Sequence, residues 1–160
     1  NYEFNAHGVE LGQFYESNAI VSDGTRPAPT DDEDLYHRMS TSPGAHLPHA
    51  WVGDNVEKQA MLDLAPYTKW TLVTGVAGEA WEDAAEAART KFGIPLQTVV
   101  IGPGRPVTDL YFDWAKLREV EESGAILVRP DKHIAWRSMS LPDDPGAALG
   151  EAVATLLGKA

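Results

Sequence analysis

A strand, a helix and a second strand follow one another within residues 69–101, and this order constrains the fold more than any other feature of the sequence. The apolar, β-branched run KWTLVTGV (69–76) predicts a buried strand. The segment GEAWEDAAEAARTKFG (78–93) predicts a helix whose apolar positions share one face: Trp81, Ala84, Ala85, Ala88 and Phe92. LQTVVI (96–101) predicts a second strand, and two strands joined through a helix pair in parallel with a right-handed crossover.

The remaining C-terminal sequence adds a helix, a hairpin and a final helix. Asp113–Ser123 predicts a short helix, and residues 125–138 predict an antiparallel hairpin with an exposed tip at Asp131, Lys132 and His133. The last helix begins with Asp144 as N-cap and ends at Gly158. The resulting order, β-α-β-α-β-β-α, predicts an α/β fold with a thioredoxin-like core over residues 50–160.

Residues 1–49 have little periodicity and are interrupted by prolines, so they predict an extended N-terminal arm with one strand near residues 18–22. Two interpretations remain open. The arm is a linker that runs over the surface, or it docks on another domain or subunit. The second interpretation rests on apolar side chains that need cover: Phe4, Val9, Leu11, Phe14 and Tyr15.

Composition excludes several kinds of function. The formal charge of −11 argues against nucleic acid or an anionic membrane as a partner. No apolar run is long enough to span a bilayer, and the cytoplasm is the plainer compartment. The chain has no cysteine, so the junction TGVAGEAW (74–81), where thioredoxin-like enzymes carry their thiolate, cannot perform thiol chemistry.

Other groups of polar residues have an ordinary structural interpretation beside the functional one. His7, Glu10 and Glu16 could bind a metal, but a hydrogen-bonded arm is the simpler explanation. His46 and His49 flank Leu47-Pro48; they could also be metal ligands, but the proline between them favours turn contacts. For Trp136 and Arg137, at the end of the hairpin, the alternatives are core packing with a salt bridge or an edge presented to another domain.

Long blocks of the sequence resemble one known family. FNAHGVELGQFYESNAIVSDGT (4–25), PGAHLPHAWV (43–52), WTLVTGVAGEAW (70–81) and IGPGRPVTDLYFDWAKLREVEESGAILVRPDKHIAWRS (101–138) are similar to the C-terminal end of flavoprotein aromatic hydroxylases, in particular the 2,4-dichlorophenol hydroxylase type. The resemblance implies a parent enzyme that ortho-hydroxylates a phenol with FAD, NAD(P)H and O2. It also implies a thioredoxin-like C-terminal domain without redox cysteines, which packs on the flavin domain.

The sequence departs from the full family pattern in one respect, because the dinucleotide fingerprint G-x-G-x-x-G is absent and GPGRP (102–106) is only a turn after a strand. We therefore assign no catalytic, cofactor-binding or metal-binding residue and interpret the chain as a fragment that acts as an interaction domain, with a homodimer expected. The candidate interface residues are Phe4, Val9, Leu11, Phe14, Tyr15, Trp136 and Arg137. The alternative is a free-standing thioredoxin-like ligand-binding module or a cysteine-less enzyme.

Overall fold

The computed structural model describes residues 5–53 and 57–159 and contains two β-sheets with helices packed against them. In chain order the elements are α1 (His7–Leu11), β1 (Trp51–Gly53), β2 (Lys58–Ala60), β3 (Trp70–Gly75), α2 (Ala80–Phe92), β4 (Leu96–Ile101), β5 (Thr108–Asp109), α3 (Asp113–Leu117), β6 (Ala125–Val128), β7 (Ile134–Ser138) and α4 (Pro145–Leu156). Phe4, one of the predicted interface residues, lies outside the described residues.

The larger sheet has the strand order β4-β3-β6-β7. Strands β3 and β4 are parallel, with Trp70 opposite Leu96 and Gly75 opposite Ile101. Strand β6 runs antiparallel to both β3 and β7. The predicted parallel strand-helix-strand unit and the predicted antiparallel hairpin are both confirmed, and β4 has the predicted bounds.

Helices α2 and α4 pack together on one face of this sheet. Helix α2 begins at Ala80 because residues 76–78 form a 3₁₀ turn, and it ends at Gly93 in the left-handed conformation with φ 65°. The side chain of Asp144 accepts a hydrogen bond from Ala147 N at 2.8 Å, which confirms the predicted cap of α4. The apolar layer between helices and sheet includes Leu72, Trp81, Leu127, Leu149 and Val153.

The opposite face of the large sheet is covered in part by a second, small sheet that the sequence did not predict. The small sheet, with strand order β2-β1-β5, lies there together with α3 and part of the arm. Its buried residues include Leu47, Val52, Met61, Trp114 and Ile134. Strands of two or three residues are too short to show an alternating pattern, so their pairing is decided by the partners they meet.

Three local predictions are wrong. The helix predicted over residues 113–123 ends at Leu117, and Glu119 adopts φ 58° while its carboxylate binds Arg137. No strand forms near residues 18–22, where Val21 N makes a single backbone hydrogen bond to Ala135 O at 2.8 Å.

The third correction concerns the hairpin tip. Lys132 and His133 are only 8% exposed, although the sequence predicted an exposed tip. The arm causes this burial, because Leu47 N donates to Lys132 O at 2.7 Å and His46 lies opposite His133 as an isolated antiparallel bridge. The ammonium group of Lys132 reaches the carbonyl oxygen of Leu62.

None of the helices within residues 5–53 and 57–159 combines the length and the apolar character that crossing a membrane requires.

Candidate functional site

The junction between β3 and α2 is filled by the chain's own side chains. Val76 N donates to Glu122 Oε1 at 3.1 Å, and Thr74 Oγ1 donates to Gly124 O at 2.7 Å. A Cβ atom on Gly75 would clash with the side chain and backbone of Glu122. Trp81 Nε1 donates to Ser123 O at 2.9 Å, so the loop before β6 seals the same junction. This position therefore holds structural hydrogen bonds.

The acidic residues at the start of α2 have a structural partner in the GPGRP turn. Arg105, four residues after the end of β4, forms ion pairs with Glu79 and with Glu82. Gly102 packs so closely on Val76 that a Cβ there would touch its side chain. These ion pairs hold the GPGRP turn against the start of α2. Arg105, the basic residue of the turn, is therefore already paired within the chain.

The arm is attached to the hairpin through backbone hydrogen bonds to β7 and the residues before it. Gly44 N donates to Ile134 O at 2.8 Å, and Ile134 N donates to Ala45 O at 2.9 Å. Residues 40–45 are all buried. Gly44 has φ 105°, and a side chain there would clash with the carbonyl oxygen of Tyr15. A glycine is therefore required where the two parts of the arm cross.

A buried guanidinium completes this attachment. The side chain of Arg137 is 5% exposed and forms ion pairs with Asp23 at 2.7 Å and with Glu119 at 2.8 Å. It also donates to Thr25 Oγ1 at 2.8 Å and to Thr41 Oγ1 at 3.1 Å. The partners of Arg137 come from three separate parts of the sequence, namely residues 23–25, Thr41 and Glu119. Together they compensate the cost of burying its charge.

Asp23 shows the electrostatic effect of this arrangement. Burial acts to raise the pKa of its carboxyl group, but hydrogen bonds from Thr25 and Arg137 and the charge of Arg137 outweigh burial. The pKa of Asp23 consequently lies below its ordinary value of 3.8.

The predicted interface residues do not form one group. Val9, Leu11 and Tyr15 are exposed, whereas Phe14 is half-buried under the guanidinium of Arg26, 4.8 Å from its ring centre. The Tyr15 ring also meets the His133 ring edge-to-face at 4.7 Å. The interface role of these residues stays a prediction.

Trp136 and Arg137, the other two described candidates, make contacts within the chain. The Trp136 ring lies edge-to-face on Trp81, 5.7 Å away, and Arg137 holds the arm. These contacts agree with the alternative of core packing with a salt bridge. Of the proposed metal ligands, neither the His7 group nor the His46 pair belongs to a cluster of three or more metal-binding side chains within residues 5–53 and 57–159.

The main surface feature that sequence reasoning missed is a groove beside α3, which we call the Arg38 groove. Its wider part has a volume of about 590 Å³ and is lined mainly by Pro29, Thr30, Tyr36, Arg38, Met39 and Leu117. It continues into a cleft of about 180 Å³ towards Leu11 and His46. Most of its lining residues lie within residues 29–39, which have no regular apolar spacing, and Leu117 reaches the groove only in the folded chain.

Two imidazoles border this groove. Burial lowers the pKa of His37, and the neighbouring His7 lowers it further. Burial also lowers the pKa of His46, against an opposing hydrogen bond with the carbonyl of Leu47 at 3.0 Å. Both rings are therefore biased towards the neutral form at neutral pH.

A family model and two curated relatives assign this chain to the same family. The family model described as "Aromatic-ring hydroxylase, C-terminal" matches residues 40–160. A phenol 2-monooxygenase of Pseudomonas sp. (strain EST1001) is 55% identical over 93% of this chain, and a 2,4-dichlorophenol 6-monooxygenase of Delftia acidovorans is 46% identical over 98% of it. The chain spans about a quarter of their length, 25% of the first relative and 27% of the second.

Solved structures agree. The flavin-dependent monooxygenase PieE, in complex with FAD and substrate, superposes with a TM-score of 0.89 at 46% identity, over 98% of this chain and 27% of that one. Aklavinone-11 hydroxylase, in a ternary complex with FAD and aklavinone, gives a TM-score of 0.81 at 29% identity, over 95% of this chain and 27% of that one. The chain therefore belongs to the family of aromatic-ring hydroxylase C-terminal domains.

Proposed function

We propose that this chain is the C-terminal part of an FAD-dependent monooxygenase that ortho-hydroxylates a phenol, with NAD(P)H as reductant and O2 as oxidant. The observation that carries the proposal is the 55% identity to a phenol 2-monooxygenase over 93% of the chain. The similarity to a 2,4-dichlorophenol 6-monooxygenase supports a phenolic substrate. The cytoplasm is the proposed compartment.

The residues of this chain do not fit a flavin or nicotinamide cofactor. The sequence lacks the dinucleotide fingerprint, and the glycine-containing turn GPGRP (102–106) after β4 is packed on Val76 with Arg105 already paired to Glu79. In our proposal FAD and NAD(P)H bind to the part of the enzyme outside this sequence, and no residue of this chain takes part in the chemical step.

The proposed role of the chain is that of a thioredoxin-like interaction domain without redox activity. The strand order β4-β3-β6-β7, with one parallel pair and helices α2 and α4 on one face, supports the thioredoxin-like assignment. The absence of cysteine and the occupation of the β3–α2 junction by Glu122 support a structural role. The proposed division is residues 1–49 as arm and 50–160 as domain.

The activity is tested on the longer polypeptide encoded by the same gene. It should purify with FAD and oxidise NAD(P)H in the presence of phenol or 2,4-dichlorophenol, with a catechol as product. The 160-residue chain, assayed in parallel, should bind no FAD and should leave NAD(P)H unchanged. Formation of a catechol by the 160-residue chain alone would contradict the proposal that cofactor binding and catalysis lie outside this sequence. A longer protein that contains no flavin would contradict the proposed activity.

We also propose that the chain forms a homodimer through the exposed apolar side chains of the arm, Val9, Leu11 and Tyr15. Light scattering should give twice the mass of one chain. The triple variant Val9→Ser, Leu11→Ser, Tyr15→Ser should be monomeric, because these exposed side chains support the contact between copies. A monomeric wild-type chain would contradict this part of the proposal.

A further inference from the structure

We propose that the Arg38 groove is the surface on which the flavin-containing part of the enzyme docks, and that the segment seated there carries a carboxylate facing Arg38. This inference rests on the proposed function. It adds the location of the contact, the side chains that make it and the charge of the partner segment.

The side chains exposed in the groove are of the types that protein interfaces favour. Tyr36 is 60% exposed and Met39 43%, with Arg38 between them in sequence. Tyrosine, methionine and arginine are enriched in the buried centres of interfaces, whereas lysine and glutamate are depleted there.

Two exposed aromatic residues lie at the other end of the helix that borders the groove. Leu117, the last residue of α3, lines the groove, and Tyr111 and Phe112 immediately precede the same helix. Phe112 is 73% exposed and has φ 57°, a conformation that is strained for a bulky residue. Non-glycine residues in this conformation cluster at functional sites, so we include Tyr111 and Phe112 in the proposed docking surface.

Charge identifies the chemistry of the partner segment. The chain carries a formal charge of −11, and within the described residues Arg38 makes no ion pair. Asp31 also lines the groove, but it does not pair with Arg38. By contrast, Arg26 pairs with Glu16, and Arg137 pairs with Asp23. An arginine that makes no ion pair with the described residues, on so acidic a surface, is complementary to a carboxylate supplied from outside.

The occupant is inferred from the relatives. The phenol 2-monooxygenase extends well beyond the 25% that this chain matches, and the PieE structure that contains FAD likewise extends beyond its matched 27%. A flavin-containing part of this size is the polypeptide that must contact the domain in the proposed enzyme. A second copy of this chain is the competing occupant, and the experiment separates the two.

Hydrogen–deuterium exchange of the longer enzyme and of the 160-residue chain compares the groove with and without the proposed partner. Amides of residues 36–39 should exchange at least about tenfold more slowly in the longer enzyme, which is a protection of about 1.4 kcal/mol. The exposed segment around Leu141 should exchange equally in both proteins. Equal exchange at residues 36–39 would overturn the proposal. Protection that appears in the 160-residue chain on raising its concentration would assign the groove to a second copy and also overturn it.

Charge reversal then tests the carboxylate. Arg38→Glu in the longer enzyme should remove the protection at residues 36–39, whereas Lys69→Glu, an exposed cation that does not line the groove, should keep it. Thermal unfolding of the two variants in the 160-residue chain checks that both fold as the wild type does. Wild-type protection in Arg38→Glu would contradict the carboxylate. Because phenol-dependent oxidation of NAD(P)H is measured on the same wild-type enzyme, an active enzyme with an unprotected groove overturns only the docking surface.

Discussion

The sheet with its two long helices and the N-terminal arm are held by different kinds of interaction. Helices α2 and α4 bury apolar side chains on β3 and β6, with Trp81, Leu72 and Leu149 fully buried. The arm is held by backbone hydrogen bonds to Ile134 and Ala135 and by one buried guanidinium. The sheet and its two helices are therefore held together by regularly spaced apolar side chains, whereas the arm is held in place by individual polar contacts. Substitutions in the two regions should therefore differ in size and in their dependence on pH.

The largest effect is expected in the helical layer. Trp81→Ala should lower the free energy of unfolding by about 3–5 kcal/mol, because a fully buried indole and its hydrogen bond to Ser123 O are lost. Trp51→Ala is the matched control, since Trp51 is 39% exposed, and it should cost less than about 1 kcal/mol. Urea titrations measure both values. Equal losses would mean that the layer beneath α2 does not dominate stability.

The next effect concerns the attachment of the arm. Arg137→Met should cost about 3 kcal/mol, the low end for removing one partner of a buried ion pair, because Asp23 and Glu119 keep some contact with solvent. Limited proteolysis should then cleave the arm faster than in the wild-type protein.

The control for this substitution is Arg89→Met, which removes an exposed ion pair with Glu86 on α2. We expect no measurable change in its urea midpoint, because exposed pairs contribute little. If Arg137→Met behaved like Arg89→Met, the arm would be held by its backbone hydrogen bonds alone.

A smaller effect is expected where the arm crosses itself. Gly44→Ala should destabilise the protein by about 2 kcal/mol, because a left-handed backbone conformation and a clash with the carbonyl of Tyr15 act together. Gly104→Ala has a similarly positive φ of 77° but open space around its Cβ, so it should cost about 1 kcal/mol. Thermal unfolding compares the two variants, and a reversed order would show that the crossing of the arm relaxes easily.

The smallest effect is a dependence on pH that arises at Asp23, in the arm. Because the pKa of Asp23 is lower in the folded than in the unfolded chain, its ionised carboxylate stabilises the fold above the unfolded value of 3.8. This contribution is lost as the pH falls through the folded pKa. Asp23→Asn should therefore be less stable than wild type at neutral pH, with the difference shrinking below about pH 4. A constant difference down to the lowest pH would contradict this role of Asp23.

The success of sequence reasoning differed between the two regions for a physical reason. The parallel unit, the hairpin and the cap at Asp144 were predicted correctly, because apolar spacing and capping residues act within a few positions of the chain. The helix predicted to reach Ser123 stops at Leu117, where a contact with Arg137, distant in sequence, draws the carboxylate of Glu119 away. The buried positions of Lys132 and His133 likewise depend on the arm, which local patterns do not report.

The sequence by itself determined the α/β class, the order of the main elements, the absence of thiol chemistry and the resemblance to aromatic hydroxylases, since all of these depend on residue type and local spacing. Only the tertiary structure decided that the arm lies on its own domain, that Arg137 is buried between Asp23 and Glu119, and that Tyr36, Arg38 and Leu117 line one groove. The reason is that such contacts join residues well separated in the sequence, by 18 positions for Arg137 and Glu119 and by 114 for Arg137 and Asp23. These contacts stabilise the protein only after folding has brought the partners together and removed them from water. The sequence of a single segment therefore does not predict them.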